Sequence, residues 1–271
     1  MSIAKRRLFS AALFFESVLF IFVAGCATLY NPATGRKEFI IIPTDYEVSM
    51  GKNIHSQIIS EYGISPRQAD AQKLTRIGQR LAKVSDRQDY EYHFYLVDKK
   101  DINAFTTPGG NIYFFTGLLD KLKTDDEIAA VLAHEVGHCA ARHTIKKYQA
   151  ALGYNLIGAL VFSQVNMGDT AKGTAALAAN VAMELAMSAY SRQDEYAADR
   201  LGVKYMYLAG YDLNGMIETL EVLDKESSGV NAPLILRTHP YVPDRIKAVR
   251  EEIKQAPIKY GRDTAGLTEK R

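Results

Sequence analysis

Cysteine is almost absent from this chain: among 271 residues there are two, Cys26 and Cys139. If Cys26 is modified, as read below, no intramolecular disulfide can form, even in an oxidising compartment. A dominant charge is lacking as well, since 33 basic residues face 31 acidic ones for a net +2. Lys5, Arg6, Arg7 and Glu16 account for that excess within residues 1–25. The remainder is near neutral, which argues against nucleic acid as a partner. No internal repeat is visible, so a repeat array is excluded. The roughly 245 residues that follow the N-terminal segment suffice for one domain with a sizeable core.

What the chain does have is His134-Glu135-Val136-Gly137-His138, preceded by a helical pattern over 124–133. Imidazoles at i and i+4 project from one helix face about 40° apart, close enough to bind one Zn²⁺. Glu135 sits beside the first ligand, where it can take a proton from a water on the metal as general base of peptide hydrolysis. The same five residues also fit a plain polar stripe on a helix.

Catalytic zinc usually takes three protein ligands and leaves one position open. A third histidine six residues after the motif would fall at position 144, which is Thr144, and Gly is replaced by Ala141. His143 is one residue off that face and is read as a solvated or supporting histidine. A later helix offers a carboxylate instead. Within Ser191 to Gly202, Glu195 and Asp199 lie at i and i+4 on one face. Glu195 could bind the metal and Asp199 could fix a ligand histidine's tautomer. A surface stripe of helix ion pairs fits the spacing equally well.

Taken together, HEVGH, then Glu195-Tyr196-Ala197-Ala198-Asp199, then Thr238-His239-Pro240 resemble the zinc metallopeptidase family of HtpX and the CAAX prenyl endopeptidases, in its bacterial lipoprotein branch of LoiP and BepA type. Asn103-Ala104-Phe105, Pro108 to Tyr113 and Tyr30 to Gly35 support the likeness, which runs from about residue 27 to about residue 255. The resemblance implies an α+β fold, a mainly helical zincin of gluzincin type with a small sheet bordering the cleft. It implies one zinc held by His134, His138 and Glu195, Glu135 as base, and Asp199 and Arg245 as supporting partners. His239 would stabilise the oxyanion or bind at the metal's open position. A structural histidine before a helix start is its plain alternative. The strand through Asn111, Ile112 and Tyr113 would border the cleft and offer a free edge to an extended substrate. The implied work is hydrolysis of misfolded or stalled envelope proteins. A chaperone-like binder at outer-membrane assembly, with latent proteolysis, is the alternative. The tetratricopeptide extension of some relatives is not expected, which points to a short single-domain form.

The N-terminus reads as a targeting segment. Lys5 to Arg7 precede an apolar run from Leu8 to Ala24 ending in Val23-Ala24-Gly25-Cys26, which resembles a bacterial lipobox. Lipidation of Cys26 would anchor the chain on the periplasmic side of the outer membrane. An uncleaved signal anchor in the inner membrane, facing the periplasm, is the alternative. The expected organisation is signal peptide 1–25, lipidated tether 26–44, peptidase domain 45–257 and polar tail 258–271.

Within the domain, helices are expected over 45–62 and 68–84, and a strand over 90–97. His55 is expected at the surface, and His93 opposite Tyr92 and Phe94. The uncharged run 148–168 is long enough to span a bilayer, but Gln149, Asn155, Ser163, Gln164 and Asn166 favour a helix packed near the cleft, as a lid. Gly168, Gly173 and Ala175 to Ala182 would allow movement or close helix packing, and residues 171–208 continue as a long helical pattern. Cys139 is expected to be a buried small apolar residue.

Overall fold

The structure is a computed structural model that describes residues 28–162, 184–185, 187–227 and 233–268. Cys26, the expected signal segment and the Gly168–Ala182 stretch lie outside the described residues.

The segment read as a tether opens with a hairpin. Strands β1 (Thr28–Asn31) and β2 (Arg36–Phe39) pair antiparallel, with Gly35 at φ +66° closing the turn. Asn31 starts that turn because its side-chain oxygen accepts from the Ala33 N–H at 3.0 Å. Glu38 then binds Asn31 Nδ2 at 2.9 Å, Thr34 Oγ1 at 2.8 Å and Lys146 Nζ at 2.6 Å. Ile40 and Ile42 follow into the core. Helices α1 (Thr44–Tyr62) and α2 (Gln68–Ala82) come next, close to the expected spans. In α2, Leu74, Ile77 and Leu81 recur at helical spacing and are buried.

Strands β3 (His93–Val97), β4 (Ala104–Thr107) and β5 (Asn111–Phe115) form a sheet in the order β3-β5-β4, parallel between β3 and β5 and antiparallel between β4 and β5. Period-two alternation feeds two cores. Phe94, Leu96, Ile112 and Phe114 face one with α2, while Val97, Phe105, Tyr113 and Phe115 face the other with Ile54 and Ile58 of α1. The expected free edge on Asn111, Ile112 and Tyr113 is therefore absent. β5 is hydrogen-bonded on both sides, and the sheet's edges are β3 and β4. His55 is not a plain surface residue, since its Nδ1 lies 3.0 Å from the Tyr113 hydroxyl and its ring packs on Tyr95. His93 is exposed, on the side away from buried Phe94.

The helices after the sheet are α3 (Thr116–Leu119), α4 (Asp125–Ala140), α5 (His143–Phe162), α6 (Arg192–Ala209), α7 (Asn214–Ser227), α8 (Leu234–Thr238) and α9 (Val242–Thr268). The long helical pattern expected over 171–208 is interrupted: residues 187–191 are not helical, and α6 starts afresh behind Ser191. α9 runs through Pro257 into the segment read as a tail. No helix among the described residues is long and apolar enough to cross a membrane.

One buried ion pair ties these layers together. Arg87 grips Glu47 of α1 at 2.6 and 3.0 Å and donates to the Cys139 carbonyl at 3.3 Å, at the end of α4. That carbonyl lies in the last turn of α4 and also accepts from the Arg142 N–H at 3.0 Å, so the guanidinium is its second donor.

Candidate metal centre

α4 is started by a capping box: Thr124 Oγ1 accepts from the Glu127 N–H at 3.1 Å, and Glu127 accepts from the Thr124 N–H at 2.9 Å. Asp125, Asp126 and Glu127 add negative charge where the helix dipole favours it. Every residue from Glu127 to Ala140 is buried, so the polar triad of the motif is carried into the interior. α6 is capped likewise by Ser191 and Asp194, which places Glu195 in its first turn and Asp199 one turn on.

The two helices approach closely because Gly137 and Gly202 lack side chains. A Cβ at Gly137 would meet the Ala198 carbonyl oxygen at 2.8 Å, and one at Gly202 would lie 3.3 Å from the His134 backbone nitrogen. Gly137→Ala is therefore expected to cost about 1–3 kcal/mol, the usual range for overpacking. Urea unfolding checks it, and unchanged stability would mean that α6 can yield.

The cleft holds four donors. His134, His138, Glu195 and His239 each place a ligand atom within 4.8 Å of the others. His134 Nε2 lies 3.0 Å from His138 Nε2 and 3.2 Å from His239 Nδ1. Glu195 Oε1 is 3.0 Å from His239 Nδ1 and 3.3 Å from His138 Nε2. Behind them, His134 Nδ1 meets Asp199 Oδ1 at 2.8 Å. Arg245 clasps Asp199 with two bonds of 2.7 Å and reaches Glu195 Oε2 at 2.6 Å. Glu135 points inward with Oε1 3.5 Å from His239 Nε2. Among the described residues its Oε2 is buried without a hydrogen-bond partner, as is His239 Nε2.

Such a donor set fits a cation. His134 gives its Nδ1 proton to a carboxylate, so its Nε2 carries a lone pair towards the other donors. His134 Nε2 and His138 Nε2 face each other at 3.0 Å with Glu195 Oε1 3.3 Å from His138 Nε2, an arrangement that a cation between them would satisfy. Nitrogen and carboxylate oxygen ligands suit zinc.

The electrostatics separate the two glutamates. Burial pushes the Glu135 carboxyl up, only partly opposed by His239 and His134. Burial acts the same way on Glu195, but Arg245 and His239 outweigh it and hold that carboxyl well below the usual range. Burial drives His138 well below the ordinary imidazole value, which favours the neutral ring a metal needs. Burial lifts the Cys139 thiol to about 12, and Sγ rests 2.7 Å from Thr106 Oγ1, so it is a packed, inert group.

All the residues expected at the centre are brought together except the strand Asn111–Tyr113. Next to α4 runs β4 instead, and Thr106 is its link to Cys139. His143, expected as solvated or supporting, is buried against His138. Tyr190 belongs to no motif in the sequence, yet its ring stacks on His138 with centroids 3.8 Å apart, and Lys147 Nζ stands 3.5 Å from the Tyr190 centroid. Beside Glu135 a cavity of about 20 Å³ is walled by Val131, Met216, Leu220 and Ile235, room for roughly one water.

Residues 68–253 match the sequence profile of Peptidase family M48. Among relatives, the chain is 28% identical over 245 residues to the mitochondrial metalloendopeptidase OMA1 of Schizosaccharomyces pombe, covering 85% of this chain and 68% of that one. It is 30% identical over 189 residues to the beta-barrel assembly-enhancing protease of Escherichia coli, covering 68% of this chain but 39% of the relative. The metalloprotease LoiP of the same organism is 30% identical over 210 residues, covering 74% and 77%.

Proposed function

The chain belongs to peptidase family M48, and from that premise we propose a zinc metalloendopeptidase of the cell envelope in which His134, His138 and Glu195 hold one Zn²⁺ and Glu135 is the base. The observation that carries the reading is the convergence of these donors around a buried glutamate whose Oε2 has no hydrogen-bond partner among the described residues. When bound, zinc supplies Lewis acidity to the scissile carbonyl and makes water a stronger acid.

The protein's own groups do the rest. Glu135, its pKa raised by burial, takes the proton of the attacking water and returns it to the leaving amine. Asp199 keeps the His134 proton on Nδ1, and Arg245 keeps Asp199 and Glu195 ionised. His239 occupies the fourth side of the donor cluster in the state described, so its ring must withdraw before a substrate carbonyl enters. Withdrawn, it is a donor for the oxyanion; in place, it keeps the site latent. That position is also what favours the second reading, a binder of unfolded chains with proteolysis held in reserve.

Substrate pairing is assigned to β4 rather than β5. Phe115 donates to the Asn103 carbonyl at 3.0 Å, so by antiparallel alternation Ala104 and Thr106 turn their backbone groups away from β5; both residues are buried, so whatever covers that edge must be displaced before a substrate strand pairs there. Asn103 beside them is buried with neither amide atom partnered among the described residues. An N-methyl scan of a cleaved peptide is expected to lower kcat/KM about tenfold at alternate residues, roughly one hydrogen bond each. A flat scan would remove strand pairing.

The names of two relatives, beta-barrel assembly-enhancing protease and LoiP metalloprotease, support misfolded or stalled envelope proteins as substrates and outer-membrane assembly as the setting. Lipidation of Cys26 on the periplasmic side of the outer membrane completes the proposal, with an inner-membrane signal anchor as its alternative. The domain proposed is 45–257, to which the hairpin of 28–39 is joined. The test is cleavage of an unfolded reporter protein by zinc-loaded residues 27–271, abolished by a chelator. A loaded protein that binds the reporter without cutting it would replace the enzyme by the binder.

A further inference from the structure

His138 is oriented by a neutral histidine where its neighbour His134 uses a carboxylate. Arg142 makes this possible. It adopts φ +57°, in the left-handed region that non-glycine residues avoid, and breaks the chain between α4 and α5. Its guanidinium is held there by Thr44 Oγ1 and Asp89 Oδ2, each at 3.3 Å. The turn folds His143 back onto the helix it has just left, so that His143 Nδ1 lies 2.8 Å from His138 Nδ1 with both rings buried.

Proton counting fixes the direction of that bond. His138 Nε2 belongs to the donor cluster and must present a lone pair there, so the single proton of the neutral ring is on Nδ1. His143 Nδ1 is then the acceptor, and the His143 proton is on Nε2, which faces Asp194 Oδ1 at 3.4 Å. The other Asp194 oxygen accepts from Ser191 Oγ at 2.7 Å and caps α6. The residue after Asp194 is Glu195. A line of contacts thus runs from one ligand, through His143, to the helix end that carries another. Its outer end lies at a polar pocket of about 450 Å³ lined by Arg36, Lys146 and Arg200 as well as by His143 and Asp194.

We propose that His143 is a positioning residue for the metal: as the Nε2–H tautomer it accepts the Nδ1–H of His138 and aims the His138 Nε2 lone pair into the cluster. This rests on the assignment of His138 as a ligand.

The test is zinc affinity, by competition with a chromophoric chelator, in wild type, His143→Ala and His143→Asn. Asn places an amide oxygen where Nδ1 was and keeps the acceptor. Ala is expected to weaken zinc about 10–100-fold, the range for lost partners of ligand histidines, and Asn to stay within about threefold of wild type. Long-range ¹⁵N–¹H spectra of the zinc-loaded wild type should show His143 protonated on Nε2, a result that needs no variant to fold. Equal affinity in Ala and wild type, equal weakening in Ala and Asn, or an Nδ1–H tautomer at His143 would each overturn the proposal. Absence of stoichiometric zinc from the wild type would instead sink the ligand assignment itself.

Discussion

Glu135→Gln is expected to keep its zinc, keep its fold and lose about 10²–10⁴-fold in kcat, the contribution of a positioned general base. The amide has the carboxylate's shape, and Glu135 donates nothing to the cluster: its nearest neighbour there, His239 Nε2, is 3.5 Å from Oε1. What the substitution removes is a proton acceptor poised by burial. The stability of the metal-free protein should move the other way. Glu135 has its folded pKa raised by burial, so between the ordinary carboxylate value of 4.5 and that raised value the native state binds more protons than the unfolded chain. Stability contributed by this group therefore falls as pH rises through that window. Gln carries no such charge, so the metal-free variant should melt at or above the wild-type temperature at neutral pH. Steady-state kinetics at matched zinc content, beside a melting curve without metal, checks both. Wild-type turnover in the fully loaded variant would remove Glu135 as base.

How far the sequence foretold this site depends on how local each feature is. His134, Glu135 and His138 were readable because a five-residue spacing on one helix already sets their relative directions. Glu195 and Asp199 needed the resemblance, since a helix surface stripe has the same spacing. The break before α6 was present as Ser191 and Asp194, a capping signal three residues apart, overlooked under a long helical pattern. The free edge was misplaced for another reason. Strand character is local, but β5 becomes central only because the chain from β3 passes through β4 before returning between them. Nothing in Asn111 to Phe115 encodes that. Arg142 is similar: its left-handed backbone accompanies side-chain contacts to Thr44 and Asp89, far away in sequence, and without that turn His143 would continue the helix away from His138. The hairpin at 28–39 within the expected tether was not legible because its strands are four residues each, too short to show a period.

Arg245→Met should be the most destabilising single change at the centre. Arg245 is 3% exposed and stands between Asp199 and Glu195, which are 2% and 0% exposed. Three of its nitrogens contact those carboxylates at 2.6–2.7 Å, a planar fork that an ammonium cannot reproduce. Burial opposes ionisation of both acids, and Arg245 is the largest influence holding each pKa down. Without it two interior carboxylates lose their cation and keep only histidine partners, and breaking a buried pair in this way costs about 3–5 kcal/mol. Against a total stability of about 5–15 kcal/mol, that is a large share of what keeps a domain folded. The acids do not suffer equally. Zinc, if held by Glu195 as proposed, would return a positive charge to that carboxylate and leave Asp199 with only the His134 Nδ1–H. Added zinc should therefore raise the melting temperature of Arg245→Met by more than it raises that of the wild type, and Asp199→Asn in the same chain should recover part of what remains lost. Guanidinium unfolding with and without zinc measures all of it. A metal-free loss below about 1 kcal/mol would mean that water reaches these carboxylates, and an equal zinc response in both proteins would mean that Arg245 and the metal do not share Glu195.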